Sequence, residues 1–142
     1  MYEPYLEAVV RWRRSMGIWV PPPASMEQVA ALRELARARL ESAVPPAFEE
    51  FLSRVNGLDA GGLIVYPTDA FVEKNLAWRK DDYYSNLLVF AESVASLYVY
   101  DVTQRRYQVL ERKSGGVERS FTAFQNLMRV ALSTHQVTDP TT

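Results

Sequence analysis

The hydrophobic period changes between Gly57 and Gly61, and that change limits the fold more than any other feature. As far as Gly57, apolar residues recur at three- and four-residue spacing, the pattern of helices with one buried face. From Gly61 to Phe121 they mostly run together or alternate, the pattern of strands. Helical segments first, strand segments next and a helix last indicate an α+β domain rather than an alternating α/β one. The expected architecture is an antiparallel sheet of about four strands flanked by N-terminal helices and a C-terminal helix.

Residues 3–16 predict a first helix, with Leu6, Val9 and Val10 apolar and Arg11, Arg13 and Arg14 at its C-terminal end, where positive charge suits the helix dipole. Pro21, Pro22 and Pro23 form a stiff connector that cannot be helix interior, read here as a spacer. Ser25 and Gln28 have the spacing of a capping box, opening a helix to about Ser42 with Val29, Leu32, Ala36 and Leu40 on one face. Residues 45–57 predict a third helix, with the stripe Phe48, Phe51, Leu52, Val55 and a left-handed stop at Asn56-Gly57. Residues 69–80 read as helical or irregular. Strands are expected over residues 63–66, 87–91, 96–102, 106–112 and 117–121, with Thr103 to Arg105 and Lys113 to Gly116 as hairpin connections. A C-terminal helix carries Phe124, Leu127, Met128 and Ala131. The chain therefore divides into an extension (1–24), a core (25–134) and a tail (135–142) of one domain.

Composition removes several kinds of chemistry. The chain has 142 residues, one domain's worth, with 16 basic and 17 acidic side chains and a net charge of -1, which argues against direct nucleic-acid binding. There is no cysteine, so disulfides, thiol nucleophiles and Cys-based metal centres are excluded. His135 is the only histidine and falls in the polar tail, so a Ser-His-Asp set would have to be built there. Gly57, Gly61 and Gly62 lack a phosphate-cradle pattern and are read as turns. The longest uncharged run, Ser15 to Met26, is broken by the three prolines, well short of the roughly 20 apolar residues of a membrane span. No leader pattern opens the sequence, and a cytoplasmic, non-enzymatic protein without metal or cofactor is expected.

Charge placement says more than net charge. Residues 41–82 hold four basic and eight acidic groups, a local balance of -4. Trp78, Tyr83 and Tyr84 adjoin Asp81 and Asp82, and aromatic rings beside carboxylates suit an interface for a basic protein. The competing interpretation is that Trp78 belongs to the core and the acids are merely solvated. Within the strand 96–102, Leu97 and Val99 lie on one face and Tyr98 and Tyr100 on the other. If helices cover the first face, the tyrosine face is a candidate platform; a second helix layer would close it. The candidate partner-binding residues are Asp59, Trp78, Asp81, Asp82, Tyr83, Tyr84 and Tyr100.

Val44-Pro45, Phe48, Phe51-Leu52 and Asn56-Gly57 stand in the order and spacing of the signature of the SUKH superfamily, the Smi/Knr-type domains, and the chain resembles that family. Gly61-Gly62, the run Leu63 to Pro67, Leu88-Val89-Phe90, Tyr98 to Asp101 and the closing Ser120-Phe121 and Phe124 fit it too, so the resemblance spans roughly residues 27–132. Val44 replaces the usual leucine, Ala91 stands where glycine is common, and residues 1–24 lie outside the pattern. The resemblance implies an α+β domain without catalytic machinery. It implies a bacterial immunity protein that binds a cognate secreted or contact-delivered toxin in the cytoplasm and occludes its active site. Toxins of such systems include nucleases and other nucleic-acid-modifying enzymes. The contact residues change with the toxin, so the family does not fix them. A monomer or weak dimer is expected. The alternative is a non-enzymatic adaptor or regulatory scaffold binding a host protein, with the triple proline and N-terminal helix as its docking element and deletion of residues 1–24 as its test; a hydrolase using carboxylates alone is a third reading.

Overall fold

The computed structural model describes residues 1–134; the expected tail, with His135, lies outside the described residues. Helix α1 (Glu3–Ser15) leads through the proline connector to α2 (Met26–Leu40) and α3 (Pro46–Leu52). The hairpin β1 (Leu58–Ala60) and β2 (Leu63–Val65) follows, then α4 (Phe71–Trp78) and a 3₁₀ turn (Asp82–Tyr84). Strands β3 (Leu87–Glu92), β4 (Ser96–Asp101), β5 (Arg106–Glu111) and β6 (Val117–Phe121) precede α5 (Phe124–Thr134). The strands form one antiparallel meander in the order β1-β2-β3-β4-β5-β6.

The α+β class is as expected, but the sheet has six strands rather than about four. The unexpected strand is β1, three residues around Asp59 between glycines, which read as loop. It exists because Gly61 and Gly62 take φ values of +61° and +83°. Two consecutive left-handed residues make the two-residue turn whose twist matches a hairpin. The Ser25 capping box forms as its spacing predicts: Gln28 N–H donates to Ser25 Oγ at 3.1 Å, and Ser25 N–H donates to Gln28 Oε1 at 2.8 Å. Helix α3 ends at Leu52, earlier than the expected stop. Asn56 instead pins the chain to the segment after β2: Thr68 N–H donates to Asn56 Oδ1 at 2.8 Å, and Asn56 Nδ2 donates to Thr68 Oγ1 at 3.1 Å.

The register places Tyr98, Tyr100, Val109 and Tyr107 on one face of the sheet and Leu97, Val99, Gln108 and Leu110 on the other. The main core lies over the tyrosine face. Phe90, the extra residue of a bulge between Val89 and Ala91, sits 4.8 Å from Phe48, 5.6 Å from Phe124 and 6.1 Å from Tyr107, centroid to centroid. Tyr98 is thereby buried and Tyr100 half-buried, so the tyrosine face is not the open platform considered from sequence. Alternation along a strand identifies its two faces but not what covers each. Helix α1 belongs to the same core: Tyr2 is fully buried, 5.4 Å from Phe51 and 6.2 Å from Phe124, and Leu6 and Val9 are buried behind it. The proline connector is fastened as well, with Asn56 N–H donating to the Pro22 carbonyl at 3.0 Å and Ala24 N–H to that of Leu52 at 2.9 Å.

Candidate partner-binding site

The segment from α4 to β3 is a corner built on three anchors. Strand β2 is short and leaves part of the β3 edge unpaired, and Asn75 of α4 supplies the missing partners. Arg79 supplies the second anchor, donating to the Leu40 carbonyl at 2.8 Å and the Leu87 carbonyl at 3.1 Å. Burial holds its guanidinium below the ordinary arginine range, opposed by the nearby charge of Glu41. The third anchor is Trp78. Its indole N–H donates to the Tyr66 hydroxyl at 2.9 Å, and the Arg112 guanidinium lies 5.4 Å above its ring. Arg112 is itself held by the Ser93 carbonyl at 2.8 Å and by Glu92 at 3.5 Å. Burial pushes the Tyr66 phenol far above its ordinary value, partly offset by the Trp78 donor.

The 3₁₀ turn rides on these anchors. Asp81 caps it, accepting from Tyr83 N–H at 3.0 Å. Tyr84 is 9% exposed and meets Trp78 edge-on at 5.5 Å; burial raises its phenol, and the Asp81 charge raises it further. Tyr83 packs edge-on against Tyr84 at 5.0 Å and donates its hydroxyl to the Gly115 carbonyl at 2.7 Å, yet stays 57% exposed. Asp81 and Asp82 are exposed, and neither enters an ion pair among the described residues.

The structure thus brings five of the seven candidates together and separates two. Trp78, Asp81, Asp82, Tyr83 and Tyr84 share the corner, but Trp78 and Tyr84 are its foundation, leaving Asp81, Asp82 and Tyr83 as its outward surface. Tyr83 shares a cleft of about 230 Å³ with Leu87, Asp101, Leu110 and Val117. Tyr100 points from the opposite face, packs in a tilted arrangement against Tyr107 at 4.7 Å and lines a cleft of about 440 Å³ with Val44, Pro45 and Leu88. Asp59 lies on the edge strand β1, paired with Ile64.

One exposed site escaped sequence reasoning. Trp19 is 75% exposed and lines a groove of about 390 Å³ with Pro21, Pro22, Ile64, Asp59 and Asp69. The available signal was a tryptophan beside three prolines in an uncharged stretch, which the spacer reading passed over.

Among the described residues no group of three or more His, Asp or Glu side chains is placed to hold a metal ion, and no helix is long and apolar enough to cross a membrane. No protein-family model matches the chain, and no curated protein matches it significantly.

Proposed function

We propose that this chain is a cytoplasmic immunity-type protein of the SUKH kind, which neutralises a cognate bacterial toxin by covering its active site. The observation that carries the reading is the corner: two exposed carboxylates without ion-pair partners among the described residues and a half-exposed tyrosine, all on an anchored frame. Anchoring lowers the ordering cost of binding, and the tyrosine provides contact area with few rotors to freeze. The carboxylates complement a basic surface, such as the phosphate-binding face of an enzyme that acts on nucleic acid, and speed encounter with it. The residue pattern from Val44 to Gly57 adds the family resemblance.

The test is capture from the native host with the full chain as bait, beside an Asp81→Arg/Asp82→Arg/Tyr83→Ala bait. The reading expects one toxin polypeptide on the first bait and its loss from the second. Recovery of housekeeping proteins alone, or equal recovery on both baits, would overturn it.

A second reading, a non-enzymatic adaptor, is favoured by the exposed Trp19 beside the proline connector. Trp19→Ala separates the two readings better than removal of residues 1–24, because that removal takes Tyr2, Leu6 and Val9 out of the core.

A further inference from the structure

The groove at Trp19 is made by two rigid walls. One is the segment Trp19 to Pro22, whose prolines fix the backbone and whose end is tied down by the bond from Asn56 N–H to the Pro22 carbonyl. The other is the β1–β2 hairpin, from which Asp59 and Ile64, paired opposite each other, both project outward. Pro67 and Asp69 also line the groove. Pro21, Pro22 and Pro67 contribute carbonyl acceptors but no backbone N–H donors to this groove.

These side chains are of two kinds. Trp19 and Ile64 offer apolar surface to solvent, at 75% and 37% exposure. Exposed apolar side chains that share a groove with polar groups suit a binding role. Asp59 and Asp69 are exposed and enter no ion pair among the described residues. An apolar floor with unpaired negative charge complements a segment of the opposite character.

We propose that this groove binds an extended protein segment that sets one aliphatic side chain between Trp19 and Ile64 and presents lysine or arginine to Asp59 and Asp69. An extended chain places residues two apart on the same side, about 6.6 Å from one another, so a basic–x–aliphatic–x–basic order turns its aliphatic and both basic side chains toward the same face. The site is separate from the Asp81–Tyr83 corner and does not depend on what that corner binds.

The probe is the peptide acetyl-Lys-Thr-Leu-Thr-Lys-amide, titrated into the full chain with ¹H–¹⁵N spectra as readout. The chain has three tryptophans, and the indole signal lost in Trp19→Phe is that of Trp19. The expected result is a saturable shift of the Trp19 indole and of the Asp59 and Ile64 amides. Affinity should fall at least tenfold for Glu-Thr-Leu-Thr-Glu and for Lys-Thr-Ser-Thr-Lys. Asp59→Lys/Asp69→Lys should lose the shift, and Asp81→Arg/Asp82→Arg should keep it. No shift at millimolar peptide, equal shifts with the acidic peptide, or shifts confined to the Asp81–Tyr83 corner would each overturn the proposal.

Discussion

Asn75 holds Val89 by both of its backbone groups: Val89 N–H donates to Asn75 Oδ1 at 2.7 Å, and Asn75 Nδ2 donates to the Val89 carbonyl at 2.9 Å. Asn75 is fully buried, and its amide also donates to the Phe71 carbonyl at 2.9 Å. A helix side chain thus does the work of a neighbouring strand where β2 has ended. Asn75→Leu would leave a buried donor and acceptor on Val89 without partners, at a cost of about 3 kcal/mol. Urea unfolding followed by far-UV circular dichroism measures the loss. A change below about 0.5 kcal/mol, the size typical of an unremarkable surface substitution, would contradict this role.

Gly115 governs the placement of Tyr83. Its φ is +75°, and a Cβ there would come within 2.6 Å of the Tyr83 ring. Gly115→Ala is expected to lose about 1–2 kcal/mol from the left-handed backbone alone and to displace the ring. Tyr83→Phe keeps the ring and removes only the hydroxyl bond, a loss of about 1 kcal/mol. Thermal melts of the two variants check the order of the effects, and partner affinity should fall more for Gly115→Ala.

The N-terminal residues are structural. Removing residues 1–24 exposes Phe51 and Phe124 where Tyr2 packed, so the truncated chain should melt far lower or fail to fold. Trp19→Ala touches an exposed side chain and should change stability by no more than about 0.5 kcal/mol. Differential scanning fluorimetry of the pair separates a spacer from a core element.

Alkali should destabilise the fold through buried tyrosines. Burial pushes the Tyr2 phenol up to about 12, and Tyr66, Tyr98 and Tyr107 shift in the same direction for the same reason. Below pH about 10 these phenols are neutral in both folded and unfolded chains, and their contribution to stability is fully present. Above that pH the unfolded chain releases protons that the folded chain retains, so stability falls as pH rises through the folded values. Urea midpoints should therefore drop between pH 10 and 12, and Tyr2→Phe should drop less steeply.

Much of the fold was legible because it rests on local pattern. The Ser25–Gln28 spacing announced its cap, and the Phe48–Phe51–Leu52 stripe is buried as read. What was not legible depends on partners distant in sequence. Strand β1 is too short to show a period and exists through its pairing with β2. The tyrosine face is closed by Phe124 and Phe48, which the alternation of β4 cannot announce. At the corner, adjacency in sequence correctly grouped Trp78 with Tyr84. It could not tell which rings are anchors and which face solvent, because that division is made by Tyr66, Arg112 and Gly115.

The central claim is that the Asp81–Asp82–Tyr83 corner neutralises a toxin. Its most direct measurement is growth of a host expressing the captured toxin, alone, with this chain, or with the Asp81→Arg/Asp82→Arg/Tyr83→Ala variant. The natural chain is expected to restore growth, and the variant to lose at least tenfold in protection while keeping an unchanged melting curve. No rescue by the natural chain, or full rescue by a folded variant, would contradict it.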